Sequence, residues 1–445
     1  MTHATSLNTS RRSRLVSAFT LAATLVIGTV PDGVFANQAG WLVQFGTDKQ
    51  EGAAGVAVAG GGVYVAGQTQ GSLGGPNLGA MDVYVRKFNT RGEEQWTRQF
   101  GTPLADQTAL GALDAKGNRV VVGGGTSGSL GRANVGKEDV FVRAYDREGN
   151  LEWTLQIGSP ELERVRHLAI APDGSIFVAG QTEGQLAADL SAGATDAFVM
   201  RLNRDGTVRW LRQFGTSGID EAIGLAVTHD GVYVTGVTTG AFPGQVNLGN
   251  YDGFVARLTV HGDIAWIKQF GTSQLDGPWK IAVSGATIFI SGNTEGQFPG
   301  ESAFGGNDAF LAAFELDGTL RWVRQYGTAG NENAPGLAAD HRGAVVVGSC
   351  CGMLPLGTQD PAADGFARSY DADGNLRWAI QFGSPVFDNA QDVALRGRDV
   401  YIVGNTRGAF PGYVNAGLGD AYVMRMRMDT HDHDEETDCD DADED

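Results

Sequence analysis

Trp210-Leu211-Arg212-Gln213-Phe214-Gly215-Thr216 decides the fold, because the chain writes it seven times. The same order (Trp, two variable residues, Gln, an aromatic or Ile, Gly, Thr or Ser) starts at Trp41, Trp96, Trp153, Trp210, Trp266, Trp322 and Trp378. The spacings are 55, 57, 57, 56, 56 and 56 residues. A period this steady over a 445-residue chain marks one supersecondary unit copied and stacked.

The unit that follows Gly215-Thr216 reads as four strands. Leu225-Ala226-Val227 is a β-branched and apolar run, Thr228-His229-Asp230-Gly231 a turn, and Val232-Tyr233-Val234-Thr235 the return strand. A Gly-rich loop leads to Asp252, then to a third strand, Gly253 to Leu258. A turn at Val260-His261-Gly262-Asp263 precedes the fourth, Ile264 to Phe270. Short β-branched and aromatic runs bounded by Gly and Asp are strand signals, and no segment shows a helical period. The 66 glycines fit many tight turns.

The chain ends choose between a β-solenoid and a ring. The first unit supplies only a fourth strand, Gly40 to Phe45; the last supplies only the first three, ending near Arg425. Each end carries what the other lacks, whereas an open array would carry capping repeats at both ends. The sequence therefore predicts an all-β, seven-bladed β-propeller of four-stranded antiparallel blades, its last blade closed by the N-terminal strand.

Here the residues resemble a known family. Gly-Thr, an acid, an apolar strand, Gly-Val-Tyr-Val, then Asp-Ala-Phe-Val and Trp-x-x-Gln-Phe-Gly is similar to the bacterial SBBP β-propeller repeat, over residues 40–427. The resemblance implies the fold and an exported or cell-surface location, and no particular reaction.

The flanks agree with export. Arg11, Arg12 and Arg14 precede an uncharged stretch, Leu15 to Val30, and Val34-Phe35-Ala36 offers a cleavage site. Residues 1–36 read as a signal peptide, with an uncleaved anchor as the alternative. The apolar stretch is shorter than the roughly 20 residues of a spanning helix. Residues 37–428 form the propeller. Residues 429–445, with 11 acids and no Lys or Arg, read as a disordered acidic tail in which His431 and His433 stand close together. The net charge of −19 argues against nucleic acid as a partner. Three cysteines, two of them the neighbours Cys350 and Cys351, are no disulfide framework. A monomer is expected, located in the periplasm, outside the cell or on its surface.

Three positions recur in every unit. An acid precedes the first strand (Glu51, Asp106, Glu163, Asp220, Asp276, Glu332, Asp388). An Asp precedes the third (Asp82, Asp139, Asp196, Asp252, Asp308, Asp364, Asp420). An Ala stands six residues after the first acid, from Ala57 and Ala112 onward, as expected where innermost strands crowd an axis. The acids, among them Glu51, Asp82, Asp106, Asp139, Asp220, Asp252, Asp276 and Asp308, admit two roles. They accept N–H groups of their Gly-rich loops, or they bind Ca²⁺, a hard ion wanting six to eight oxygens. The mixed Asp/Glu position and the lack of an Asp-x-Asp-x-Asp-Gly run favour hydrogen bonding. Asp371-Ala372-Asp373-Gly374 reads as a hairpin turn. No other cofactor is expected, and the repeated tryptophans read as core between blades.

Function should sit where one unit departs from the others. Three and four residues after the first acid stand Arg166 and His167, Trp279 and Lys280, Gln391 and Asp392, where other units carry small or apolar residues. These six are the candidate ligand-binding residues at one mouth of the channel: a stacking face, positive charge, and a carboxylate opposite. An anionic or glycan ligand, or a protein partner, suits that chemistry. The sequence holds no Gly-x-Ser-x-Gly elbow and no His-Glu-x-x-His. The first expectation is an exported, non-catalytic binding or scaffold module. The alternative is a hydrolase or lyase using His167 and Asp392 as acid and base.

Overall fold

The computed structural model describes residues 40–187, 192–352, 354 and 364–428. The expected leader and acidic tail lie outside these residues.

The described chain forms 28 strands in seven four-stranded antiparallel sheets, with no helix. Blade 1 runs from Glu51 to Phe100, and blades 2 to 6 follow in sequence order. Blade 7 takes its first three strands from Asp388 to Arg427 and its fourth from Trp41–Phe45. Trp41 pairs with Arg425, Val43 with Val423 and Phe45 with Ala421. The predicted closure is thus present, and the ring has no open sheet edge at its seam.

The core lies between blades rather than within them. Each of seven apolar clusters joins residues of two neighbouring blades; one packs Phe177 and Val199 of blade 3 against Leu225 and Phe254 of blade 4. The expected packing role of Ala169, Ala226, Ala282, Ala338 and Ala394 holds, yet each packs into the cluster shared with the next blade. The axis is not what they crowd.

The repeated tryptophans tie each outer strand to the next blade. Trp96 Nε1 donates to Arg147 O at 3.0 Å, and Trp153 Nε1 to Arg204 O at 3.1 Å. Those carbonyls belong to the turn between the third and fourth strands, whose glycine lies flat on the ring. A Cβ at Gly149 would sit 2.8 Å from the Trp96 ring, and φ there is +81°, a conformation glycine tolerates best. Asp371-Ala372-Asp373-Gly374 is such a turn. Asp371 Oδ1 accepts from the N–H groups of Asp373 and Asn375 at 2.9 and 2.8 Å.

Within each sheet the first strand is innermost and runs from one face of the ring to the other. The loops joining second to third strands, and each fourth strand to the next blade, share the face where first strands begin. Parallel bridges such as Met81 to Ala105 and Tyr251 to Leu275 lace these loops together.

Candidate functional site

The loop face is fixed by the recurring acids and the motif Gln. In blade 1, Gln99 Nε2 donates to Asp82 Oδ2 at 2.9 Å and to Gly71 O, while its Oε1 accepts from Leu73 N at 2.8 Å. Gln156, Gln213, Gln269 and Gln325 repeat the clamp on Asp139, Asp196, Asp252 and Asp308. Gln44 repeats it on Asp420 across the closure. The acid before the first strand binds the Gly-Thr corner. Asp276 Oδ2 accepts from Thr272 N at 2.6 Å and from its hydroxyl at 3.0 Å. Glu51 does the same for Thr47 and also takes the Thr69 hydroxyl.

These carboxylates are buried and accept hydrogen bonds, the role preferred from sequence, though in Asp82, Asp106, Asp220 and Asp276 the donors meet Oδ2 and the buried Oδ1 has no partner among the described residues. Among the described residues no group of three or more His, Cys, Asp or Glu is placed to hold a metal ion. The two acids at each junction flank one glycine. A Cβ at Gly101 would lie 2.2 Å from Asp82 Oδ1 and 3.1 Å from Asp106 Oδ2, which explains the invariant Gly of the motif. Burial, then the neighbouring acid as the least of several causes, pushes the Asp106, Asp220 and Asp276 carboxyls above their ordinary value, against the pull of their Thr partners.

The symmetry-breaking residues divide into two levels. In blades 1, 3, 4, 5 and 7 the first strand carries a bulge at the residue three after the acid. A bulge re-aims its side chain, and the bulged residues Arg166, Ile223, Trp279 and Gln391 stay at the mouth, partly exposed. The next residue points down into the channel. Contrary to the expectation of a mouth ring, His167 is 7% and Asp392 2% exposed.

Blade 2 departs further. Its first strand is two residues longer, so the irregularity spans Thr108 to Leu113, with Gly111 at φ +71°. The pairing places Ala112, not Leu110, at the level of His167. It places Asp114, not Ala112, where the other blades pack the recurring Ala.

At this lower level the channel is plugged. Lys280 Nζ crosses from blade 5 to Asp392 Oδ1 of blade 7 at 2.7 Å, and Asp392 Oδ2 accepts from Val56 N of blade 1 at 3.1 Å. Lys280 and the His167 ring converge on Gly111, where a Cβ would lie 2.4 Å from Nζ and 2.6 Å from the imidazole. Burial, then the Lys280 charge, holds His167 well below the ordinary imidazole value, so it is neutral at neutral pH; its Nδ1 has no hydrogen-bond partner among the described residues. The positive charge expected of His167 is therefore absent, and that of Lys280 is matched by Asp392. Asp114, which the sequence reading passed over, accepts from Ile170 N of blade 3 at 2.7 Å, and burial raises its carboxyl to about 6. Its signal was present: two extra residues separate Asp106 from Val120, compared with Glu51 and Val63.

Above the plug lies a shallow hollow of about 190 Å³ lined by Thr108, Ala109, Leu110, Arg166, Ile223, Trp279 and Pro335. Arg166 is spent within the protein, on Gln181 Oε1 at 2.9 Å and Glu221 Oε2 at 2.8 Å. The Trp279 indole N–H is bound by Asn293. Arg166 and Trp279 thus meet in one hollow, His167, Lys280 and Asp392 belong to the buried plug, and Gln391 lines neither. Cys350 and Cys351 are not joined by a disulfide; Cys350 Sγ accepts from Gln381 Nε2 at 3.0 Å, in the place of the usual Thr.

No family model matches the chain. It is similar to a regulatory protein, FlaEY, of Caulobacter vibrioides, 29% identical over 243 residues, covering 51% of this chain and 25% of that protein. An uncharacterized WD repeat-containing protein of Acanthamoeba polyphaga mimivirus is 22% identical over 276 residues, 55% of this chain and 18% of that protein. The chain thus matches a quarter or less of the length of these relatives. Among solved structures, a puromycin hydrolase aligns with TM-score 0.50 at 11% identity, covering 85% of this chain and 52% of that one. The phage phi92 endosialidase aligns with TM-score 0.47 at 11% identity, covering 89% and 70%. The likeness to the hydrolase concerns the fold alone.

Proposed function

We propose that this chain is an exported, non-catalytic propeller that docks a protein partner on its loop face. The observation that carries this reading is the distribution of exposed apolar side chains. Leu78, Val135, Leu248 and Phe304 occupy one repeated place in the loop between second and third strands, four residues before the recurring Asp, and are 47–51% exposed. Val246, Val414, Leu418 and Leu104 add to the same face, which surrounds the Trp279 hollow. Exposed apolar groups held on rigid loops favour protein contact, and an aromatic near the centre is a usual anchor. The ionisable groups of this face are largely consumed within the protein. The printed names of the two relatives, a regulatory protein and a WD repeat-containing protein, fit a docking role. Export rests on the leader read from sequence and on the resemblance to the SBBP repeat.

The enzymatic alternative needs His167 and Asp392 to meet a substrate. Both are buried, and Asp392 is engaged by Lys280 and Val56. Photo-crosslinking from position 279, against position 320 on an outer strand, tests the reading. Adducts in the source cell should form from 279 and be lost in Ile223→Asp. Equal yields from both positions, or a turnover abolished by Asp392→Asn, would overturn it. Mature protein beginning at Asn37 in the exported fraction is the expected sign of export.

A further inference from the structure

A hollow of about 510 Å³ opens on the loop face at the seam, where blade 7 meets blade 1. Its wall combines residues from the two ends of the described chain: Gln50 and Gln68 from one, Phe387, Asn389, Asn405 and Arg407 from the other. The size suits a small ligand. We propose that this hollow binds an acidic saccharide, a sugar whose hydroxyls meet the amides and whose carboxylate meets Arg407.

The donors converge because their acceptor ends are already tied down. Asn405 Oδ1 accepts from Ala53 N at 2.7 Å, and Asn389 Oδ1 accepts from Asn405 N at 3.0 Å. Each amide is thus held by its oxygen, with no partner for its NH₂ group among the described residues. Gly52 makes the room: a Cβ there would lie 3.1 Å from Asn405 Oδ1. Gln68 Oε1 is shut off from water and has no hydrogen-bond partner among the described residues, so an acceptor there is unmet. An acceptor in that state is costly, and a turn of the amide toward the hollow lets a ligand hydroxyl relieve it. Glu51, the one carboxylate lining the hollow, is turned to Thr47 and Thr69, whose N–H and hydroxyl groups occupy both its oxygens.

Arg407 supplies the sign of the charge. Its guanidinium makes no ion pair among the described residues and lies 5.5 Å from the Phe387 ring centre, braced by that face. A guanidinium without a protein carboxylate is the group that pairs a carboxylate bidentately. Several amide donors, the Gln68 acceptor and the Arg407 guanidinium together describe a site for a polyol bearing an acid. The blade 4–5 hollow shows the contrast: at the same level it holds Val237, Pro278 and the Arg166–Glu221 pair, and offers no such set.

The test is calorimetric titration of the full chain with trigalacturonate, with maltotriose as the neutral control. Trigalacturonate should bind and raise the melting temperature, since the hollow spans the seam. Arg407→Gln, an exposed substitution, should keep the wild-type melting curve and weaken binding tenfold or more. Gln68→Met should weaken it without altering its salt dependence. No heat with trigalacturonate at about 10 mM, near the weak end of measurable affinity, would overturn the proposal. So would equal binding of maltotriose, or an unchanged affinity in Arg407→Gln. Pelleting with insoluble polygalacturonate separates recognition of an extended polymer from recognition of a free oligosaccharide. Failure here leaves the docking reading intact, because that reading rests on the Trp279 hollow and the repeated apolar loop positions, read out by crosslinking.

Discussion

Lys280→Met tests the plug most directly. Lys280 and Asp392 lie 2.7 Å apart, with side chains 12% and 3% exposed, so the pair is largely removed from water. Removing one partner of a buried pair costs about 3–5 kcal/mol, because the other charge stays buried and unmatched. Asp392 keeps one donor, Val56 N, and Lys280 has some access to channel water, so the lower end, about 3 kcal/mol near pH 7.5, is expected. The deficit should depend on pH. An unmatched buried carboxylate has a folded pKa above its unfolded value. Its penalty is then absent below the unfolded pKa and grows as pH rises toward the folded one. Urea unfolding of Lys280→Met should therefore approach the wild type as pH falls toward about 4. The double variant Lys280→Met with Asp392→Asn should recover most of the loss, a coupling of about 2 kcal/mol. The His167 imidazole, relieved of the Lys280 charge, should titrate at higher pH in NMR spectra. Additive losses from the two substitutions, or a Lys280→Met deficit below about 0.5 kcal/mol, would refute the reasoning.

Other expectations follow from the same geometry. Burial raises the folded pKa of Asp114 to about 6, above its ordinary value of 3.8, so its charge weakens the fold above that window and not below it; Asp114→Asn should stabilise by about 1–3 kcal/mol near pH 7.5 and confer nothing below about pH 4, by urea unfolding at both pH values. Gly101→Ala drives a Cβ to 2.2 Å from Asp82 Oδ1 and should cost well over 3 kcal/mol, whereas Gly117→Ala, in open space at φ +58°, should cost about 1 kcal/mol in thermal melts. Gln44→Ala removes the clamp on Asp420 and Gly408 and should cost about 2–4 kcal/mol, with limited proteolysis releasing the Trp41–Phe45 strand first. Exposed Cys351 should react with a thiol reagent in the native protein, and buried Cys350 only on unfolding.

The repeat made the ring legible before any coordinates, since a fixed period with complementary ends has few closed solutions. The role of the recurring acids was also within reach, because their Gly-rich loops need acceptors. The partner in the clamp was not: Gln99 and Asp82 are 17 residues apart, and only the register of the third and fourth strands brings them together. Position counting failed in blade 2, where two inserted residues put Ala112 at the expected number but on another level. It failed again across the axis. Lys280 reaches Asp392 from two blades away, a contact that depends on the width of the channel and not on the period.

What the seven-fold features achieve bears on what the exceptional ones can do. In blades 1 to 5 and in blade 7 the loop is held by a carboxylate and a glutamine that accept and donate to its backbone, so its conformation is fixed before any partner arrives. Ordering a side chain or loop on binding costs free energy, roughly 0.5–1.5 kcal/mol for each rotamer-rich group. A loop already held loses less. The same clamps that build the ring thus preorganise the exposed Leu78, Val135, Leu248 and Phe304. At the seam they hold the strand ends from which Asn389, Asn405 and Arg407 project. Loosening one clamp beside a proposed site, as in Gln44→Ala, should therefore weaken binding at the seam hollow more than Gln213→Ala, which removes the same bonds three blades away. Equal losses would mean that the clamps support only the fold.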